Sequence, residues 1–219
     1  MRKNIPNLIT CLNLLTGSIG IYFTLVQGKP MAIYFVLIGA FFDLLDGMVA
    51  RLLNVSSEIG KQLDSLADLV TFGLLPSFYL LTLLQNATPL PWIAMMIAVF
   101  SAIRLARFNV DESQGNSFKG LPSPANAIMI TSIALIPFDI GVNMMLAITI
   151  LSCGLLISNI RLIALKFGSY SWVGNEPRWI LIGCSLILII VLKWTFIPFL
   201  VPTYIVVSLF SGVKKVKTQ

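Results

Sequence analysis

Eight apolar runs separated by short polar breaks take up almost the whole of this 219-residue chain. A helix needs about 20 mostly apolar residues to cross a bilayer, and eight such runs leave no length for a separate soluble domain. Composition agrees. Hydrophobic residues make up 57% of the chain and charged residues 11%, against roughly 45–50% and about 25% in soluble domains. A soluble fold of this size has too little interior to hide so much apolar surface. The sequence therefore predicts an all-α, polytopic integral membrane protein with about eight transmembrane helices, forming a single membrane domain over residues 1–219. The spans are expected at 8–27, 31–53, 60–84, 92–108, 122–136, 141–159, 178–194 and 196–210. Gly28-Lys29-Pro30 reads as a turn, and the tail as Lys-rich. The first run holds Asn13, Thr16 and Ser18 and reads as a retained span, not a cleaved signal.

Basic residues orient the spans. With the N-terminus in the cytoplasm, Arg2, Lys3, Arg51, Lys61, Arg104, Arg107, Lys119, Arg161, Lys166, Arg178, Lys214, Lys215 and Lys217 fall on the cytoplasmic side, and only Lys29 and Lys193 fall outside. This bias predicts cytoplasmic N- and C-termini and an even number of spans. It also accounts for the net charge of +6 without any nucleic-acid partner; the remaining attraction is to anionic lipid headgroups. Histidine is absent, which excludes Ser-His-Asp and Cys-His catalysis and His-ligated zinc or haem. Cys11, Cys153 and Cys184 are far apart in apolar runs and read as small packing residues, not a metal or disulfide framework.

Four carboxylates stand out against this background. An Asp near the middle of a span costs about 2.5–3.5 kcal/mol on insertion scales, yet the second and third spans carry Asp43, Asp46, Asp64 and Asp68. The spacings i, i+3 and i, i+4 put each pair on one face of its helix. A short loop joins the two spans, so they are expected to be antiparallel neighbours whose carboxylates meet near the cytoplasmic surface. Four close negative charges need a positive counterpart. Hard oxygen ligands without His or Cys suit Mg²⁺ or Mn²⁺, and two such ions would balance four carboxylates. An ion path or proton relay, or structural bridges to Arg51 and Lys61, would use the same residues.

The residues between the pairs carry more information. Asp43-x-x-Asp46-Gly47-x-x-Ala50-Arg51, then eight residues, Gly60, three residues, Asp64, three residues and Asp68 resembles the D-x-x-D-G-x-x-A-R-x8-G-x3-D-x3-D pattern of the CDP-alcohol phosphotransferase family. Gly47 and Ala50 are small, on one face and one turn apart. Such a pair serves helix packing or lets a nucleotide approach closely. Arg51 is suited to clamping a phosphate, and Gly60 keeps the mouth of the third span narrow. The resemblance implies that Asp43, Asp46, Asp64 and Asp68 hold two Mg²⁺ or Mn²⁺ ions, with Asp68 also the catalytic base. It places Gly47, Ala50, Arg51, Ser57 and Gly60 against a CDP-lipid. Pro6-Asn7-Leu8-Ile9-Thr10 is similar to a family segment that contacts the same lipid, which adds Asn7 and Thr10.

Further along, Arg104-Leu-Ala-Arg107-Phe-Asn109 and Phe118-Lys119-Gly120-Leu121-Pro122-Ser123-Pro124-Ala125 resemble the phosphatidylserine synthase branch of the family. Arg104, Arg107, Asn109 and Lys119 become the expected acceptor site, since a guanidinium is a natural partner for the serine carboxylate. The implied activity is transfer of the phosphatidyl group from CDP-diacylglycerol to L-serine, giving phosphatidylserine and CMP. The expected setting is the cell membrane, with the site facing the cytoplasm and a homodimer as the assembly. The catalytic core would lie at about 1–160, with two further helices at about 178–211. Two alternatives stay open: another acceptor in the same family, such as glycerol 3-phosphate or inositol phosphate, and a cation or proton transporter.

Overall fold

The computed structural model describes residues 4–27, 31–55, 57–110, 118–162 and 176–210. The Gly28-Lys29-Pro30 turn and the Lys-rich tail lie outside these residues. Nine helices follow one another within them: α1 (Asn4–Gln27), α2 (Ala32–Leu52), α3 (Glu58–Asp68), α4 (Leu75–Leu84), α5 (Met96–Val110), α6 (Ser123–Thr131), α7 (Val142–Ile157), α8 (Glu176–Leu192) and α9 (Ile197–Phe210). A π-helical turn at Leu69–Leu74 joins α3 and α4 into one rod, so the eight apolar runs become eight rods. Four of these, residues 4–27, 32–52, 58–84 and 91–110, are long and apolar enough to cross a membrane; the later four are apolar but shorter. One element was not foreseen from sequence. Phe118–Lys119 (β1) pairs antiparallel with Arg161–Leu162 (β2), with Phe118 opposite Leu162.

The helices are turned inside out relative to those of a soluble protein. The buried side of α1 is Pro6, Thr10, Asn13, Gly17, Gly20 and Thr24, a stripe of small and polar residues at helical spacing. Its outward side carries Leu8, Leu12, Leu15, Ile19 and Tyr22, with Leu8 64% exposed. Small residues inside and large apolar residues outside is the pattern of a helix that meets its neighbours closely and faces lipid elsewhere. The chain is an integral membrane protein. Its apolar core gathers around α4, where Leu75, Tyr79, Leu80 and Leu84 pack with Phe72, Val36, Ile97, Ala127 and Ile130.

Two local features shape the region of the Asp pattern. At the end of α2 the chain leaves through Asn54 in the left-handed region (φ 49°), a conformation Asn tolerates well. The Val55 amide closes back on the Ala50 carbonyl at 3.0 Å. Ser57 then caps α3, its hydroxyl oxygen accepting from the Gly60 amide at 3.0 Å, which satisfies one of the orphan donors of the first turn. The second feature is the π turn. Pro76 has no amide proton to give and crowds the carbonyl four residues back. Just ahead of it the ladder widens, the Leu75 amide reaching the Val70 carbonyl. A proline ahead is one of the few identifiable causes of such a break.

α1 packs along both α2 and α3. Among the described residues, α2 and α3 have little direct contact with each other. The expected antiparallel pair is thus opened out, with α1 as the third wall of the space between its members.

Candidate active site

Asp43 from α2 and Asp64 and Asp68 from α3 converge, with one carboxylate oxygen from each lying within 4.8 Å of the others. Asp46 is not one of these three. It is buried, and its Oδ2 accepts from the Thr10 hydroxyl of α1 at 2.6 Å. Asp68, also buried, accepts at Oδ1 from the Asn13 amide at 3.3 Å. Among the described residues these are the only side-chain hydrogen bonds that reach the four carboxylates. Asp64 Oδ1 is buried without a partner. The structural-bridge alternative is not what the geometry provides. Arg51 Nε donates to the Gly47 carbonyl at 3.0 Å, and Lys61 Nζ to the Asn109 carbonyl at 2.9 Å.

Two charges about 5 Å apart repel by about 3 kcal/mol at an effective dielectric of about 20. Three ionised carboxylates held as these are need a cation among them. The donor set is all oxygen, the arrangement that suits Mg²⁺ or Mn²⁺, and the orphaned Asp64 oxygen is a ligand atom with nothing else to do. The residues fit a divalent metal site built on Asp43, Asp64 and Asp68, with Asp46 alongside.

Beside the cluster is a cavity of about 350 Å³ lined by Pro6, Asn7, Thr10, Asp46, Gly47, Ala50, Val55, Ser57, Gly60, Lys61 and Asp64. Its glycines decide between the two readings of the small residues. A Cβ on Gly47 would meet nothing within 4 Å, so Gly47 does not serve packing; it leaves the cavity wall bare. Gly39, two turns earlier in α2, is the opposite case, because a Cβ there would run into Thr71. Gly60 sits where a Cβ would come within 2.9 Å of both Asn7 Oδ1 and Ser57 Oγ, and so lets two polar side chains close on the mouth. Ser57 has its oxygen engaged as a helix cap but keeps its proton to donate. Of the expected lipid contacts, Asn7, Thr10, Gly47, Ala50, Ser57 and Gly60 therefore line one cavity. Arg51 is exposed, with its Nε bonded to the Gly47 carbonyl.

The four expected acceptor residues separate. Arg104 Nη1 donates to the buried Ser123 hydroxyl at 3.0 Å, and its Nε is buried without a partner. It is close enough to Asp68 for their charges to interact. Arg107 is exposed and reaches the Ile157 carbonyl at the end of α7, at 3.4 Å. Asn109 donates its amide to the Ser65 hydroxyl at 2.8 Å, so it ties α5 to α3. The Lys119 backbone lies in β1; its side chain is outside the described residues. Gly120 follows with φ +75°, and a Cβ there would come within 2.8 Å of the Leu156 carbonyl. Only glycine turns this corner, and the corner delivers Ser123 to Arg104. Asn13, Lys61 and Ser123 join the site without having been among its expected residues. For Asn13 the signal was a polar side chain inside an apolar run, which within a membrane calls for a partner.

A carboxylate cluster among apolar helices, opening on a cavity that mixes apolar walls with Asn7, Thr10, Ser57 and Lys61, defines a class of site suited to charged head groups at a lipid surface. Comparison with known proteins identifies the particular family: residues 3–158 match CDP-alcohol phosphatidyltransferase, and the chain belongs to that family. It is 34% identical over 145 residues (63% of this chain, 48% of the relative) to a CDP-diacylglycerol–serine O-phosphatidyltransferase of Mycobacterium leprae. Similarity to proteins of the same name is 38% over 122 residues in Bacillus subtilis (55% of this chain, 69% of the relative). In Saccharomyces cerevisiae it is 41% over 143 residues (58% of this chain, 51% of the relative). The chain spans about half the length of the Mycobacterium and Saccharomyces relatives. The resemblance read from the Asp pattern and from the Arg104 and Gly120 segments is borne out.

Proposed function

We propose that this protein is a CDP-diacylglycerol–serine O-phosphatidyltransferase, a single membrane domain with its catalytic core at about residues 1–160. It would act in the cell membrane as a homodimer with the site facing the cytoplasm. The observation that carries the reading is the bare wall at Gly47 beside three converging carboxylates. That pairing supplies both room for a nucleotide and ligands for the ions that accompany its pyrophosphate.

In this reading Asn7, Thr10, Ala50, Ser57 and Gly60 border the cytidine diphosphate moiety, and Arg51 swings its free guanidinium nitrogens to a phosphate. Two bound Mg²⁺ or Mn²⁺ ions would neutralise the pyrophosphate and the charge that develops on its bridging oxygens. Asp43, Asp46, Asp64 and Asp68 would hold those ions. Arg104, steadied by Ser123 and close to Asp68, takes the serine carboxylate. Asp68 accepts the proton of the serine hydroxyl as its oxygen bonds to the β-phosphorus. The bond from that phosphorus to the bridging oxygen breaks, and CMP leaves. Arg107, Asn109 and Lys119 belong to the same cytoplasmic side and complete the acceptor approach.

Arg104, whose charge interacts with that of Asp68, matches an acceptor with one carboxylate; a doubly charged phosphate would draw more heavily on Arg107 and Lys119. Against a transporter stands the lack of any charged side chain in α6, α7 and α9, where a path across the membrane would need relay groups. The deciding experiment is incorporation of radiolabelled serine into lipid by the purified protein, with and without CDP-diacylglycerol. A faster reaction with glycerol 3-phosphate would reject serine and keep the family.

Two further results are expected. Gly47→Leu should fold normally and raise the CDP-diacylglycerol KM about tenfold or more, the equivalent of about 1.4 kcal/mol of lost binding. Gly39→Ala should instead destabilise the fold by about 1–3 kcal/mol through overpacking against Thr71. Thermal unfolding and substrate titration of the two variants separate these effects. Arg104→Ala should raise the serine KM about 10- to 150-fold, the range set by a lost charge-assisted hydrogen bond of about 1.5–3 kcal/mol, and leave the lipid KM nearly unchanged. Arg51→Ala should do the reverse. An unchanged serine KM in Arg104→Ala would move the acceptor site elsewhere.

A further inference from the structure

Asp68 is held by a closed ring of contacts that runs through two residues with no assigned role. Asn13 in α1 is fully buried and donates Nδ2 to Asp68 Oδ1 at 3.3 Å. The backbone carbonyl of the same Asn13 accepts from the Thr71 hydroxyl at 3.0 Å. Thr71 lies three residues beyond Asp68, inside the π turn that begins at Leu69. The ring runs from Asp68 along the widened turn to Thr71, across to Asn13, and back through the Asn13 amide. Thr71 enters it through a slot left by two glycines. A Cβ on Gly17 would come within 2.8 Å of Thr71 Cα, and one on Gly39 would collide with the Thr71 methyl.

We propose that Asn13 and Thr71 are positioning residues for Asp68. They fix one of its carboxylate oxygens on α1 and leave the other facing Asp43 and Asp64. The inference rests on the metal-assisted reading of the acidic cluster. Packing alone does not account for the two side chains. Valine would fill the slot between Gly17 and Gly39 as well as threonine does, and Asn13 Oδ1 is buried without a partner. An asparagine here carries the cost of that unpaired oxygen, which its amide offsets only through the bond to Asp68. A polar side chain in this place is explained by what its amide holds. Outer partners of this kind orient the ligand that touches the ion.

The test uses the purified full chain and two readouts: the rise in unfolding temperature produced by Mn²⁺ in the absence of substrates, and the steady-state constants. Asn13→Leu and Thr71→Val should raise the Mn²⁺ concentration for half-maximal stabilisation about 10- to 100-fold, the range typical of outer-partner loss. At saturating Mn²⁺ they should lower kcat while the CDP-diacylglycerol KM stays within about twofold. Thr71→Ser keeps the hydroxyl and should restore both readouts. Without Mn²⁺, Thr71→Val, which keeps the shape of the side chain, should unfold no earlier than the unmodified protein. Asp68→Asn is the control. If it shifts the Mn²⁺ midpoint and the Asn13 and Thr71 variants do not, the metal site stands and the positioning role is wrong. If Thr71→Ser fails as badly as Thr71→Val and both unfold early without Mn²⁺, Thr71 serves packing and the ring is incidental. If Mn²⁺ does not stabilise even the unmodified protein, the metal reading falls and this inference falls with it.

Discussion

Asp68→Asn is expected to lower turnover by about 10²- to 10⁴-fold, the usual contribution of a positioned general base, while CDP-diacylglycerol binding weakens but remains measurable. The amide keeps the shape of the side chain and can still meet α1, but it accepts no proton from the serine hydroxyl. Single-turnover rates and equilibrium binding of the donor lipid, measured on the same preparation, separate the two effects. Near-normal turnover in this variant would exclude Asp68 as the base. Asp43→Ala and Asp46→Ala should behave differently and lose binding together with turnover. The first removes one of three converging ligands, and the second removes the carboxylate that joins Thr10 to the cavity wall.

The second large effect is metal removal. Exhaustive chelation should silence the protein, and Mg²⁺ or Mn²⁺ should restore it. Zn²⁺ should restore it poorly, because the cluster offers carboxylate oxygen and neither thiolate nor imidazole. The physical reason is repulsion. Without a cation, carboxylates about 5 Å apart oppose one another by about 3 kcal/mol per pair at an effective dielectric of about 20, and an anionic pyrophosphate adds to that. Chelated protein should therefore lose donor-lipid binding as well as turnover, a result that binding measurements in EDTA check directly. Full activity after complete metal removal would refute the two-ion reading.

The apolar rods and the acidic cluster are legible because each breaks a strong rule. Eight apolar runs have no soluble home, and four aspartates inside two of them have no cheap one. What stayed hidden depends on contacts between distant parts of the chain. Asn13 and Asp68 are 55 residues apart, and from sequence Asn13 is one more polar residue near a helix start. The π turn left only Pro76 as a hint, since a run of apolar residues looks the same whether its amides reach four or five residues back. Arg104 and Arg107 stand one turn apart in the sequence of α5 and read as a pair. One meets Ser123 near Asp68 and the other the end of α7, a divergence set by α6 and α7 and not by α5. In the sequence the Gly120 corner carries only a resemblance. Its reason, a positive φ against the Leu156 carbonyl, is tertiary.

The stretch between Arg51 and Gly60 acts as a ruler. It holds the last residues of α2, the left-handed exit at Asn54 and the Ser57 cap, and α2 and α3 have few contacts of their own to fix their separation. An inserted or deleted residue here would slide one aspartate pair along the other and turn it to a new face, because each residue of an α-helix rotates the next by about 100°. Substitutions in this stretch should be tolerated far more readily than changes in its length. Over evolutionary time the interval would then drift in composition and hold in count, so a loop that looks free to vary would record the width of the cavity.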